Sequence, residues 1–385
     1  MSKRHSRVLA AGSALAILLP GTAIQAATEV TPPDNASRIR NDQWHLRYLS
    51  AQEAHRISQG EGVTVAILDT GVSQHPDIRL NLKKGKNLLP GDSSSAHDDP
   101  NGHGTAMAGL IAAHGQNATK GALGIAPKAQ VIPIKTSDAS NEGNADRLAE
   151  GIEFAITAGA AVVSISGGGG PSPRLLQALE AAHSANVIVV AAGGNNPTDP
   201  GVIYPAAADT VIAVGGIDQN GKHARISVTG PQLDLAAPAL DIFSLDPQSD
   251  YRRSSGTSNA AAIVAGAAAL IRAKYPYLPA DEVAHRLTAT AIDKGPPGRD
   301  DQYGYGVIDL VAALTADVPP RGFGSSGSAT PGPGTTRAVG PEADQDGAAV
   351  RGLVTLAVLL AAGAGGVWWV RRRRRSDDPP PRISR

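Results

Sequence analysis

The chain has 385 residues, with 35 Lys and Arg against 35 Asp and Glu, no Cys and 42% apolar residues. A domain of about 280 residues buries roughly 75% of the surface of its unfolded chain, so a core can form without staples. The lack of Cys excludes disulfide frameworks, thiolate metal sites and thiol nucleophiles, and the balanced charge offers no basic face for a nucleic-acid partner.

In chain order, Lys3, Arg4 and Arg7 precede the uncharged run Val8–Leu19 and the small residues Ala23-Ile24-Gln25-Ala26-Ala27. This order predicts a secretory signal over 1–27, cut near Ala26 or Ala27, because the apolar run falls short of the ~20 residues a spanning helix needs. Apolar, β-branched runs follow at Val63–Leu68, Val131–Lys135, Ala161–Ser166, Val187–Ala192 and Val211–Gly215. Runs apolar at successive positions predict strands covered on both faces. Helical spacing falls at Thr105–His114, Ala145–Ala158, Pro173–Ala185, Ser258–Tyr275 and Ala280–Ala291. The alternation predicts an α/β body of three layers, a mainly parallel sheet between helices, over about 35–316 inside a domain of 28–316. Residues 317–349 are rich in Pro, Gly, Ser and Thr and poor in large apolar side chains, the composition of a disordered linker. A transmembrane helix is assigned to 350–370, its charge-free part being Gly352–Val370. At about 1.5 Å per residue that part covers about 28 Å of a hydrocarbon core of about 30 Å. Trp368 and Trp369 lie at its boundary, and Arg371–Arg375 open the basic tail 371–385. Five consecutive arginines keep the C-terminus cytoplasmic and put everything before Gly352 outside the cell membrane.

Ligands of open α/β sheets meet the carboxyl ends of strands, where this sequence is most specific. The first strand runs into Asp69-Thr70-Gly71. Alone, that Asp reads as a turn cap; aspartic peptidases need two such triplets to share a proton, and no second one occurs. The segment Asp99-Pro100-Asn101-Gly102-His103-Gly104-Thr105 sets a histidine between glycines at a helix start, a costly place for a packing residue. No H-E-x-x-H or comparable ligand set accompanies it, so neither metal nor cofactor is expected. Ser254-Ser255-Gly256-Thr257-Ser258-Asn259-Ala260 opens an almost wholly apolar helix. Singly, Ser258 reads as an N-cap; at the mouth of a buried helix it also gains the positive dipole end and free N–H groups that favour an oxyanion. Together Ser258, His103 and Asp69 supply a nucleophile, a base and a carboxylate to orient the base. The order Asp, His, Ser and the lack of G-x-S-x-G around Ser258 separate the set from α/β-hydrolases.

The blocks AILDTGV, NGHGTAMAG and SSGTSNAAAIVAG resemble the three catalytic blocks of subtilisin-like serine peptidases, and the likeness spans roughly Trp44 to Ala316. It implies a subtilisin-like fold, hydrolysis of polypeptide substrates, and Asp69, His103 and Ser258 as acid, base and nucleophile. VIVVAAGGNN resembles the segment that supplies the oxyanion donor, with Asn195 at the matching position, Asn196 as the one-residue alternative, and Gly193 and Gly194 leaving room for substrate. VVSISGGGGP resembles the edge segment on which substrate pairs as an added strand, at Ser166, Gly167 and Gly168; a plain Gly-rich loop is the other reading. The nucleophile block departs from the family's usual Met-Ala-Ala-Pro-His: Asn259-Ala260-Ala261-Ala262-Ile263 puts a polar group beside Ser258 and removes a proline kink. Residues 28–62 are too few for the folded inhibitory prodomain of many relatives. Signal, peptidase domain, linker, single span and basic tail together resemble mycosins, membrane-anchored subtilases of type VII secretion. That resemblance implies either limited proteolysis of exported proteins or a structural role in a secretion complex.

Overall fold

The computed structural model describes residues 29–31, 35–138 and 144–321. The signal 1–27, most of the linker, the span 350–370 and the basic tail lie outside the described residues. Among those described, no helix is long and apolar enough to cross a membrane.

The strands are β1 (Glu29–Thr31), β2 (Thr64–Asp69), β3 (Lys86–Asn87), β4 (Gln130–Lys135), β5 (Val162–Ile165), β6 (Ile188–Ala192), β7 (Val211–Ile217), β8 (Leu235–Pro238), β9 (Ile242–Asp246) and β10 (Asp250–Ser254). Helices α1 (Ile39–Asp42), α2 (Trp44–Tyr48) and α3 (Ala51–His55) are short. They are followed by α4 (His103–Ala112), α5 (Ala145–Thr157), α6 (Pro173–Ser184), α7 (Thr257–Lys274), α8 (Ala280–Ala289) and α9 (Leu310–Thr315). Seven strands form one sheet in the order β3-β4-β2-β5-β6-β7-β8, and every neighbouring pair is parallel. The remaining three make a small antiparallel sheet, β1-β10-β9.

The apolar strand runs are explained by what covers them. Val65 and Ile67 of β2 pack with α4 and α7, whereas Ala66 and Leu68 pack with α5 and α6. Period-two alternation therefore survives, with both faces apolar because both are buried. α7 lies on one face of the sheet and is buried from Thr257 to Arg272. Its alanines keep it close, and a Cβ on Gly266 would stand only 2.7 Å from that of Ile125. Burying each larger member, such as Ile263 or Val264, contributes roughly 1.5–3 kcal/mol.

All five expected strands and five expected helices are present, with ends moved by a few residues. Two of those moves matter for the site. α4 begins at His103 after Gly102 at φ 80°, and α7 begins at Thr257, which places Ser258 inside the first turn instead of at the N-cap. β2 lies between β4, reached by one crossover, and β5, reached by the opposite one. That reversal opens a crevice at the carboxyl end of β2, where Asp69 stands.

Candidate active site

Asp69 is the last residue of β2 and is almost fully buried. Its Oδ1 accepts the Thr70 N–H at 2.8 Å and lies 2.7 Å from His103 Nδ1. The chain between these two residues is held by another carboxylate. Asp99 Oδ1 accepts from Thr70 Oγ1 at 2.7 Å and from the Gly102 N–H at 2.9 Å; its Oδ2 accepts from the Thr105 N–H at 2.8 Å and Thr105 Oγ1 at 2.7 Å. Thr70 Oγ1 in turn accepts the Gly104 N–H at 3.0 Å. Asp99 thus ties the loop after β2 to the first turn of α4, and the Asp69–His103 distance follows from that knot. The sequence places Asp99 in the histidine segment without marking its task; its only local signal is an acid four residues before the histidine, and its burial is visible only in the fold. Lys135, at the end of β4, supports the approach to this loop through Asp92 at 3.2 Å, Ser94 Oγ at 3.0 Å and the Asp98 carbonyl at 3.1 Å.

Burial pulls the His103 imidazole toward lower pKa, but the charge of Asp69 and its hydrogen bond, joined by the charge of Asp99, outweigh it and leave the pKa above the ordinary histidine value. Arg252 opposes them. Only the neutral imidazole can take a proton, so kcat/KM is expected to fall as pH drops through a midpoint above about 6.5. A pH profile of casein hydrolysis checks this, and a midpoint below the ordinary value would contradict it.

Ser258 lies in the first turn of α7, where backbone N–H groups have no intrahelical acceptor. Its Oγ donates to the Ser166 carbonyl at 3.3 Å, a long bond, and not to His103. Such bonds are often slack in the free enzyme and tighten when substrate enters. Asn195 faces the same space: a Cβ built on Gly256 would lie 3.7 Å from both Ser258 Oγ and Asn195 Oδ1, and 3.9 Å from Asn195 Nδ2. Asn195 Oδ1 accepts the Thr257 N–H at 2.9 Å and Thr257 Oγ1 at 3.2 Å, which leaves the Nδ2 edge for a ligand. The neighbouring Asn196 is engaged elsewhere, donating from Nδ2 to the carbonyls of Ser227 at 2.8 Å and Arg225 at 3.3 Å.

The glycines divide by cause. Around Gly167 a Cβ would meet nothing, whereas at Gly168 it would run into Ile203 and the Tyr204 carbonyl, 2.8 Å away. Gly193 is packed under Leu233, and its carbonyl already accepts the Ile203 N–H at 3.0 Å. Gly194 has φ 124° and leans on Asp199. Glycine at 168, 193 and 194 is therefore required from inside the chain, and Gly167 is the one that faces open space. Asn259 does not project a polar group into the site: its amide is spent on Ser254 and the Ala239 carbonyl, bracing the approach to α7. Among the described residues no group of three or more His, Asp or Glu side chains could hold a metal ion.

A buried carboxylate bonded to a histidine, a serine in the first turn of a buried helix and an asparagine amide bonded to that helix start, all around the carboxyl ends of a parallel sheet, define the class of serine hydrolases that act through a covalent acyl intermediate. The model of the Subtilase family matches residues 60–306, and the chain belongs to that family of serine endopeptidases. Subtilisin Savinase from Lederbergia lenta is 40% identical over 272 residues, 70% of this chain and 97% of that protein. The thermostable alkaline protease of Halalkalibacterium halodurans is 37% identical over 266 residues, 69% of this chain and 71% of its own length. Among solved structures, MycP1 from Mycobacterium smegmatis superposes with a TM-score of 0.66 at 28% identity, covering 76% of this chain and 89% of that one. A MycP1 structure described as an essential component of the type VII (ESX-1) secretion system gives 0.65 at 32% identity, covering 75% and 92%.

Proposed function

We propose that Ser258 is the nucleophile, His103 the general base and Asp69 the carboxylate that orients it, in an endopeptidase working through an acyl-enzyme. The observation that carries this is the 2.7 Å contact of Asp69 Oδ1 with His103 Nδ1, which holds that nitrogen as the donor and leaves Nε2 able to accept a proton. Ser258 Oγ turns from the Ser166 carbonyl to His103, attacks the scissile carbonyl and passes its proton to Nε2. The developing oxyanion takes hydrogen bonds from the Ser258 N–H and from Asn195 Nδ2. His103 returns the proton to the leaving amine, and water then releases the acyl group by the same steps. Ser166–Gly168 would pair with extended substrate, since the Ser166 carbonyl is freed when Ser258 turns and Gly167 stands beside open space. A fluorophosphonate probe applied to the full-length protein should attach at Ser258, read by peptide mass spectrometry; a folded sample that stays unlabelled would overturn the assignment.

Asn195→Ala should lower turnover by about 10²–10³ with little change in KM, a magnitude taken from the matching donor in subtilisin. Steady-state kinetics on casein checks it, and the same loss from Asn196→Ala would point to the neighbouring amide instead.

For the setting, the reading is a catalytic domain outside the cell membrane, tethered through 317–349 to one span at 350–370, with 371–385 in the cytoplasm and limited processing of exported proteins near the membrane as its task. Support comes from the apolar, arginine-flanked segment Gly352–Val370 and from the likeness to MycP1. A tether confines the site to partners close to the bilayer. The description of MycP1 as a component of its secretion system favours a second, structural task in such a complex. Export measured in cells carrying Ser258→Ala separates the two: retained export with lost processing would assign the structural role to the fold alone.

A further inference from the structure

The hairpin of β9 and β10 leads toward the nucleophile helix and covers the back of the loop that carries His103. It is seated on α4, where Ser244 Oγ donates to the Ala106 carbonyl at 2.6 Å and Gly109 admits the Ser244 and Leu245 side chains. From this hairpin Arg252, only 8% exposed, donates from Nη1 to the carbonyl of Asn101 at 2.9 Å and faces Asp246 Oδ1 at 3.3 Å. Both groups lie directly on Gly102: a Cβ there would run into Arg252 Nη1 and stand 2.9 Å from Asp246 Oδ1. Arg252 is buried and Asp246 partly exposed, and desolvating the charges offsets much of their attraction, so the pair is weak evidence of a stabilising role and its place beside the histidine loop is the feature to explain. The residue beside this pair is the candidate base.

We propose that Arg252 and Asp246 form a charge-balanced positioning pair for His103, Arg252 fixing the histidine loop through the Asn101 carbonyl while the two opposite charges set the field at the imidazole. The proposal rests on His103 being the general base. The charged groups facing that imidazole are Asp69 from the end of β2, Asp99 from the loop before α4 and Arg252 from β10, with Asp246 from β9 behind Gly102. Asp69 and Asp99 favour the imidazolium and Arg252 disfavours it; Asp246, beside Arg252, offsets the charge of the arginine. Removing either member of the pair therefore leaves the other uncompensated, with opposite consequences for the base.

The measurement is the second-order rate of inactivation of the full-length protein by diisopropyl fluorophosphate, followed against pH, which reads the serine and its base without a natural substrate. Arg252→Gln should move the acid limb to higher pH by about half a unit to one unit, and Asp246→Asn should move it lower by a similar amount. The double variant should return the limb close to its starting place while keeping a reduced plateau rate, because the Asn101 carbonyl has lost its donor. Arg252→Lys should hold the limb in place, since the charge is kept, and lose part of the plateau, since the shorter side chain with its point-like ammonium does not hold the Asn101 carbonyl as the planar guanidinium does. Limbs that coincide with the wild type, or that move in the same direction for both single variants, would overturn the proposal. If Arg252→Gln fails to fold by thermal melt, the near-isosteric Asp246→Asn decides alone. His103→Ala, run beside them, tests the underlying assignment: loss of inactivation in that variant with unmoved limbs in the others would remove the pair and leave the base in place.

Discussion

Ser258→Ala should reduce peptide hydrolysis by about 10⁶-fold, the size of loss that follows removal of the serine in a subtilisin, while leaving the protein folded. The side chain makes one long hydrogen bond, to the Ser166 carbonyl, and its loss leaves a buried helix start whose packing depends on Ala260–Ile271 instead. The melting temperature should therefore stay within a few degrees, since single sites without a strong packing or network role change stability by about 0.5 kcal/mol. A residual rate of roughly 10³–10⁴ over water should persist, supplied by Asn195 and the α7 N–H groups. Single-turnover kinetics on purified wild type and variant decides the matter. A variant that retained a tenth of the activity would mean that another group attacks the carbonyl.

Asp69→Asn should cost about 10⁴ in turnover at neutral pH, by analogy with the same exchange in other Ser-His-Asp enzymes. The reason lies in which atoms can donate. Oδ1 of Asp69 accepts from Thr70 and lies on His103 Nδ1. Because one oxygen serves both contacts, an asparagine that keeps its carbonyl there preserves the two bonds but loses the charge, whereas one that turns its amide there gives up the Thr70 bond and presents N–H to Nδ1, so that the imidazole carries its proton on Nε2, where a base must be empty. The exchange also removes the negative charge that raises the His103 pKa, so the acid limb should shift to lower pH as the plateau falls. Loss of rate without that shift would mean that Asp69 acts only through geometry. The expected pair of changes is read from kcat/KM against pH, with near-ultraviolet circular dichroism confirming the fold.

The buried strands are legible because β2, β4, β5, β6 and β7 carry nearly continuous apolar runs, broken only by residues such as Ser164 and the flanking Gln130 and Lys135, and α5 and α6 because one face of each is apolar. β3, with two residues, and β8, with four, were too short to rise above the surrounding loops. β9 and β10 were missed for another reason: a half-buried hairpin bearing Asp246, Asp250, Arg252 and Arg253 has no apolar run to announce it. That omission hid the Arg252–Asp246 pair entirely. Asp99 was in view but without a task, since its four hydrogen bonds join residues on two sides of the crevice.

By itself the sequence determined the alternation of strand and helix, the three blocks that place the chain among the subtilases, and the residue types at the ends of β2, α4 and α7, because these are local properties of pattern and spacing. Only the tertiary structure decided which asparagine lies against the start of α7: Asn195 Oδ1 accepts the Thr257 N–H, whereas the Asn196 amide donates to the Ser227 and Arg225 carbonyls. It also decided which glycines are demanded by Ile203, Leu233 and Asp199 and which one borders open space. The same holds for the field at His103, which sums charges from β2, the loop before α4, and β10, segments separated by up to 183 positions in the chain. Electrostatic forces fall with distance in space and take no account of distance along the chain, so the base could be named from its neighbours in sequence but its proton affinity only from its neighbours in the fold.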